Sequence, residues 1–388
     1  MNALDQPLDL FGNRNPRNIS TEGIKYAGSK LRLLPHILSL AEQTGAKSVF
    51  DPFSGTTRAS QAFAQNGYAV TSSDSSVWSE TFARCYLLGG NPEKYQSLIR
   101  YLNNVSPVSG WFTKHYGGCP DTPSATKRPW QIKNTRKLDG IRSEIDRLGL
   151  NDIEKSVALT SLVQALDRVD STMGHFTSYL KDWSDRSYNN LYLKVPNILR
   201  QGTDIPHRVL KGDVFDVAGV VSADLAYLDP PYGSNNEKMP ASRVRYASYY
   251  HIWTTVILND LPSVFGAANR RTDSRDQVAS SVFEDFRKNK TGRFIAVEAL
   301  ENLLEQIQTK WIILSYSSGG RATAGDLRNA LSNIGTVMDV RQITCKKNVM
   351  AGMRWTDEWV PDIETKNIEY LFLVEKQADT RNFPSRNS

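Results

Sequence analysis

Asp229-Pro230-Pro231-Tyr232 follows the apolar run 225–228 and has the clearest chemical content of any group in the chain. Two successive prolines have no N–H to give a strand ladder, so the chain must turn stiffly where the run ends. The turn brings a carboxylate, rigid backbone carbonyls and a phenol ring together. Acceptors for two N–H bonds beside an aromatic face suit the exocyclic amine of a planar base. A tight turn with a surface tyrosine is the plain alternative. Asp51-Pro52-Phe53-Ser54-Gly55-Thr56-Thr57 also follows a short strand pattern. Gly55 permits a tight turn and close backbone approach to a ligand. Asp74 ends the next strand pattern, 23 residues after Asp51, near the spacing at which an acid meets a ribose hydroxyl. The chain has no GxGxxG, so a nucleoside without a pyrophosphate fits better than a dinucleotide. Two further clusters are weaker alone. Lys25-Tyr26-Ala27-Gly28-Ser29-Lys30 offers a stacking ring and a cation just before a helix. Gly212-Asp213-Val214-Phe215 sets Asp213 either to accept from an adenine amine or to cap a short helix.

These clusters can meet only if strands deliver them to one edge. The pattern predicts a strand at 48–50, a helix at about 57–65, a strand at 68–72 and a helix at 77–88, which is one βαβ unit. Strand signals return at 207–215, 224–232 and 311–316, and the segments 337–345 and 370–376 read as a strand pair. A helix follows Lys30, with Pro35 tolerable near its start. In an open α/β sheet, ligands bind beyond the carboxyl ends of the strands, where the acidic clusters fall. Residues 92–206 read as largely helical, interrupted by a polar loop at 117–129. Residues 263–293 read as a polar, basic, loop-rich excursion, and 1–20 as a flexible arm.

The chain has 388 residues, 40% hydrophobic and 23% charged, a globular balance. At about 150 residues per domain, that length fits two or three domains or one large α/β domain with an insertion. A mean hydropathy of −0.44 and the lack of an apolar run of about 18 residues argue against a membrane span. The amino-terminal sequence lacks a charged-then-apolar leader, so export is not expected. The three cysteines, Cys85, Cys119 and Cys345, are scattered. They suggest neither a disulfide framework nor a zinc ribbon, and a reducing cytoplasm is the expected compartment. The five histidines show no metal spacing, and no metal is expected. Lys and Arg exceed Asp and Glu by 47 to 41, a net charge of +6, which permits a polyanionic partner. One basic set, Lys114, Lys127, Arg128, Lys133, Arg136, Lys137, Arg142 and Arg147, interleaves with Trp111, His115, Tyr116 and Trp130. A second contains Arg270, Arg271, Arg275, Arg287, Lys288 and Lys290. Such regions can hold phosphates and stack bases, and a merely solvated surface is the alternative.

Taken in order, KYAGSK, DPFSGTT, Asp74, GDVF and DPPY resemble the Dam-like adenine-N6 DNA methyltransferases. The resemblance covers most of the chain. It implies a Rossmann-like, seven-stranded α/β sheet that uses S-adenosyl-L-methionine, formed by 21–91 and 207–388, with 92–206 as a helical target-recognition insertion. Carried over position by position, Tyr26, Gly28 and Lys30 match the cofactor motif that precedes the sheet. Asp51, Phe53 and Gly55 match the loop near the methionine moiety, and Asp74 matches the ribose acid. Asp213 and Val214 match the adenine contacts. Asp229, Pro230, Pro231 and Tyr232 match the catalytic tetrad, with Asp229 also next to the cofactor. Thr57 departs from the family, which often has a second glycine there.

The resemblance implies methylation of an adenine flipped out of double-stranded DNA, beside a cognate restriction endonuclease or in a related DNA-marking role. The same tetrad admits an RNA adenine or a cytosine N4 amine as acceptor, or a silent nucleic-acid-binding relative. A nicotinamide oxidoreductase is disfavoured by the missing GxGxxG.

Overall fold

Apolar side chains recur with period two along the strand segments, and this alternation loads both faces of one sheet. The structure is a computed structural model that describes residues 19–121, 128–180, 182–200, 205–232, 246–275, 281–285, 287–346 and 366–377, with backbone alone at 345–346 and 366–367. The main sheet has seven strands: β1 (Ser48–Asp51), β2 (Ala69–Asp74), β3 (Arg208–Lys211), β4 (Ser222–Leu228), β5 (Gln308–Ser317), β6 (Gly335–Lys346) and β7 (Lys366–Lys376). Their spatial order is β3-β2-β1-β4-β5-β7-β6. β1 runs parallel to β2 and β4, β2 to β3 and β4 to β5. β7 alone is inverted, lying antiparallel between β5 and β6. The seven-stranded α/β sheet expected from the sequence is therefore present, with boundaries shifted by up to four residues.

The helices are α1 (Leu34–Thr44), α2 (Arg58–Gln65), α3 (Val77–Leu88), α4 (Gln96–Asn104), α5 (Trp111–Tyr116), α6 (Ile132–Arg147), α7 (Asp152–Arg168), α8 (Val214–Val217), α9 (Tyr246–Tyr249), α10 (His251–Leu258), α11 (Ile295–Gln306) and α12 (Ala324–Ile334). On β4, Leu225 and Tyr227 face α1 and α2, while Ala226 and Leu228 face α11 and α12. On β7, Leu371 and Leu373 take the first side and Phe372 and Val374 the second. α1 starts four residues later than Lys30, with Pro35 in its first turn, where the missing N–H leaves no helical bond unmade. Ile19 and Ser20 are all that is described of the expected arm, and the Ser20 carbonyl accepts from Gln65.

The segment 92–206 is helical only to Arg168. Beyond it, among the described residues, the only helix is one 3₁₀ turn, Asp185–Tyr188. α7 is buried along its length from Ser156 to Leu166. Its start is fixed by a reciprocal cap: Asn151 accepts from the backbone of Glu154, whose side chain accepts from the backbone of Asn151. Its apolar residues share one core with Trp78, Phe82 and Tyr86 of α3 and with Ile252, Trp253 and Val256 of α10. The helical segment is thus welded to the sheet layer through α3. The polar excursion 263–293 includes one short hairpin, Val264–Phe265 with Arg270–Arg271.

Candidate active site

Parallel pairing puts the carboxyl ends of β2, β1 and β4 side by side, and the three acidic clusters follow from them. The loop after β1 is tied to the end of β2: Ser54 N–H donates to the Ser73 carbonyl at 3.0 Å, and Gly55 N–H donates to Asp74 Oδ2 at 2.9 Å. Asp74 Oδ1 accepts from the Ser76 backbone and hydroxyl at 2.9 and 2.5 Å. Asp74, expected as a ribose acid, is thus hydrogen-bonded to the loop after β1 and to Ser76. Gly55 has φ +47, and a Cβ there would meet the Tyr26 hydroxyl at 3.4 Å. Gly28 has φ +84, with the Tyr246 hydroxyl 3.0 Å from where a Cβ would stand. Both backbones are left-handed and approached by a phenol, two separate reasons for glycine.

Tyr26 lies in an aromatic stack. Its ring is 4.7 Å from Tyr250 and 5.3 Å from Tyr246, nearly parallel to both, and edge-on to Trp78. Tyr250 Oη accepts the Ala27 N–H at 2.7 Å and so fixes the loop. Lys30 is buried, and its ammonium lies 3.1 Å from Asp229 Oδ1, 2.8 Å from Tyr232 Oη and 3.3 Å from Glu369 Oε2. Tyr232 Oη is also 3.3 Å from Glu369 Oε1, and its ring rests 5.1 Å from that of Tyr316. The loop before α1 and the corner after β4 are thus joined through Lys30.

Burial sets the electrostatics. It raises the Asp229 carboxyl to about 6, with Lys30 opposing the rise and Glu369 adding to it. Burial depresses the Lys30 ammonium, but Asp229, Tyr232 and Glu369 more than offset this and hold it well above its ordinary value. Asp51 is fully buried. Burial raises it to about 7 against a 2.6 Å bond from Ser60, with Asp229 and Asp74 adding to the rise. Among the described residues Asp51 Oδ1 makes no well-formed hydrogen bond, although the Phe53 N–H acts on the carboxyl and opposes its rise. The buried Ser72 and Ser73 hydroxyls on β2 likewise have no partner there. An unpaired buried carboxylate oxygen calls for a donor. A methyl donor that carries hydroxyl or ammonium groups fits that need.

Asp213 and Val214 stand beside the next strand end, beyond β3. Asp213 caps α8, Oδ1 accepting the Phe215 N–H at 3.0 Å, and is exposed. Val214 is buried in the sheet core. Phe215 stacks on Phe283 at 5.7 Å and 7°, and Phe53 meets Phe283 edge-on at 5.4 Å. Phe283, Tyr246 and Glu369 were not legible as site residues in the sequence. Each arrives from a distant segment, and only Glu369 carried a local signal, a lone acid at the head of an apolar strand. Pro230 is buried, and Pro231 and Tyr232 are half-buried.

The first basic set is mostly structural. Arg142 is buried and donates to the Val256 and Ile257 carbonyls at the end of α10. Lys133 donates to the Tyr188 carbonyl, Lys137 to those of Asn103 and Val105, and Arg147 pairs with Glu144. Tyr116 and Trp130 are fully buried, so they are core rather than stacking surface. Lys114 and Arg128 flank His115, and Lys127 lies outside the described residues. In the second set Arg271 is buried between Asp260 and Asp273, and Arg287 pairs with Asp285. Among the described residues no cluster of His, Cys, Asp or Glu is arranged to hold a metal ion, and no helix is long and apolar enough to cross a membrane.

The inverted seventh strand, the acid-bearing loops on β1 and β2 and the DPPY corner on β4 define a Rossmann-like methyltransferase. The chain belongs to the D12 class N6 adenine-specific DNA methyltransferase family, which it matches over residues 26–310. It is 27% identical over 381 residues to modification methylase StsI of Streptococcus sanguinis, covering 92% of this chain and 53% of that one. It is 25% identical over 333 residues to type II methyltransferase M.FokI of Planomicrobium okeanokoites, covering 80% and 47%. It is also 25% identical over 324 residues to type II methyltransferase M.NlaIII of Neisseria lactamica, covering 80% and 89%. The chain spans about half the length of the first two.

Proposed function

We propose that this chain transfers a methyl group from S-adenosyl-L-methionine to the N6 amine of an adenine flipped out of double-stranded DNA, in the cytoplasm and beside a cognate restriction endonuclease. One observation carries the reading: the Asp229–Tyr232 corner, the Asp51–Gly55 loop, Asp74 and Lys30 converge on one rim of the sheet. The modification and type II methyltransferase names of the relatives support the restriction-modification role.

Asp229 and the Pro230 carbonyl accept the two hydrogens of the target amine, and Tyr232 stacks on the base. These bonds localise the nitrogen lone pair, which the ring otherwise withdraws. When bound, S-adenosylmethionine supplies an electrophilic methyl group on a sulfonium. Asp51, Gly55 and Phe53 would hold its amino-acid end, Asp74 its ribose, and Asp213 with Val214 its adenine, near the Phe215–Phe283 stack. Tyr26, Gly28 and Lys30 close the site from the loop before α1. Holding donor and acceptor together contributes several kcal/mol, up to about 7–11. The sheet residues 21–91 and 207–388 form the catalytic part, and 92–206 reads the target. Lys114 and Arg128 are its phosphate-facing charges, because Lys133, Arg136, Lys137, Arg142 and Arg147 are bonded within the fold.

A tritiated-methyl assay on DNA and on RNA, followed by nucleoside analysis, tests the reading. Label is expected in N6-methyladenine from duplex DNA. Label in RNA or in N4-methylcytosine, or donor binding without turnover on any nucleic acid, would overturn it. DNA affinity should also fall as salt is added.

A further inference from the structure

We propose that Glu369 is a positioning residue of the methyl-transfer site: it shares the Lys30 ammonium with Asp229, anchors the Tyr232 hydroxyl, and leaves the corner with one negative charge in surplus for a cationic methyl donor. This rests on the methyl-transfer reading above.

An ammonium has three N–H donors, and Lys30 meets three acceptors, at 3.1 Å (Asp229), 2.8 Å (Tyr232) and 3.3 Å (Glu369). The Tyr232 hydroxyl donates onward to the other Glu369 oxygen at 3.3 Å. Among the described residues the network is closed, and it contains two carboxylates and one ammonium. The side chains of Lys30, Asp229 and Glu369 are only 7%, 17% and 12% exposed, so water does little to screen the unbalanced charge.

Inversion of β7 is what brings Glu369 here. The parallel strands end at this rim, but β7 begins at it. Glu369 stands opposite Ser317, the last residue of β5, and the preceding backbone N–H of Ile368 is held by the Ser318 hydroxyl at 3.0 Å. A glutamate at the head of a parallel strand would lie at the other edge of the sheet.

In the transfer, the carbon–sulfur bond breaks as the carbon–nitrogen bond forms. Positive charge passes from sulfur to nitrogen and leaves as a proton through Asp229 to solvent. A fixed negative charge at the corner favours the cation at each stage. Without Glu369 the ammonium has Asp229 as its one carboxylate partner among these groups, beside the Tyr232 hydroxyl, and Asp229 is less available to the amine. Among the described residues, Asp51 on β1 and the phenols Tyr26, Tyr227, Tyr232 and Tyr246 also feel the charge of Asp229. Burial raises all four phenols, so they stay protonated through the neutral range. Among the described residues, Asp51 is then the acid left to act on Asp229 once Glu369 is replaced.

The test is Glu369→Gln in the full chain. Calorimetry is expected to show S-adenosylmethionine binding about tenfold more weakly, with S-adenosylhomocysteine, which lacks the sulfonium, within about twofold of wild type. The acid limb of kcat should move to lower pH, because a negative neighbour of Asp229 is gone, and kcat should fall. Equal losses for both ligands, or an unmoved pH limb with wild-type kcat, would overturn the proposal. Glu369→Asp keeps the charge and so should keep the wild-type ratio of the two affinities; loss of that ratio counts equally against it. If wild type binds the sulfonium selectively but methylates no nucleic acid, the reading of function fails while the charge role of Glu369 stands.

Discussion

Two buried aspartates, one in the helical segment and one under the sheet rim, show how differently the two regions use charge. Asp139 on α6 accepts from the Gly110, Phe112 and Thr113 backbones at 2.8–3.0 Å and from the Thr113 hydroxyl at 2.6 Å. Its lone pairs are occupied, and the first turn of α5 hangs from them. Asp51 receives one side-chain bond, from Ser60, and keeps one oxygen buried and unpaired. A carboxylate with full bonding organises the fold. A carboxylate left short of donors lowers stability, and such deficits persist where a ligand completes them. The two regions also place their buried cations differently: Arg142 is bonded to backbone carbonyls at the end of α10, whereas Lys30 bridges side chains of the rim.

The sharpest way to break this contrast is Asp229→Ala. It should abolish methyl transfer, with a loss of more than about 10³-fold, while far-UV circular dichroism and the unfolding midpoint stay near wild type. Robust turnover in this variant would remove the corner from the chemistry. The wild-type rate should also fall as pH drops through about 6, since only the ionised Asp229 accepts from the amine.

Asp139→Ala should do the reverse. It strands three backbone donors at the start of α5 and should destabilise by about 3 kcal/mol, read from urea unfolding. Turnover per folded molecule should be retained. A stable but inactive Asp139→Ala would place α5 in the active site and dissolve the distinction.

Asp51→Asn sharpens the comparison through its sign. The Asp51 carboxyl is raised from 3.8 to about 7 in the fold. The folded state therefore holds the proton more tightly than the unfolded chain. Stability from this group is complete below about pH 4 and is lost as pH rises through 7. The amide has no charge to bury, so Asp51→Asn should match wild type near pH 4 and exceed it above pH 7. One unit of such a shift is worth about 1.4 kcal/mol, and a gain of that order in thermal scans at pH 8 is expected. The variant should bind the methyl donor less well. A stability loss at pH 8 would mean that the half-bonded carboxylate supports the fold after all.

All seven strands of the sheet were legible in the sequence, because period-two alternation and turn residues are local signals. The DPPY corner, the Gly55 loop and Asp74 were legible for the same reason: each sits at a strand end. What closes the site was not. Glu369 meets Lys30 across 339 residues of chain, through an inverted strand whose neighbour no local pattern reveals. Phe283 comes from a segment that reads only as a polar excursion. The basic helix α6 misled in the opposite direction. Its composition suggests a surface for phosphates, yet which arginine turns inward depends on where the carbonyl end of α10 lies.

Thr57 connects what the sequence flagged with the smallest effect the structure allows to be measured. Its departure from glycine falls at a backbone with φ +62 and ψ +13, a left-handed conformation that costs a β-branched residue about 1–2 kcal/mol. The surroundings hold it there: its N–H donates to the Ser54 carbonyl at 2.6 Å, its hydroxyl donates to the Thr56 carbonyl at 2.7 Å, and Gln61 donates to that hydroxyl at 3.0 Å. Thr57→Val keeps the branched carbon in the strained backbone and loses both hydroxyl bonds, so it should destabilise by about 2 kcal/mol. Thr57→Gly loses the same bonds but relieves the backbone, and should be the more stable of the two by about 1 kcal/mol. Equal midpoints in urea would show that the hydroxyl bonds, not the left-handed backbone, set the energetics of this loop. A less stable glycine variant would show that chain entropy outweighs the strain. Only the expected order makes the threonine a residue held against its preference by the loop that binds the donor, as the orphaned oxygen of Asp51 is held beneath it.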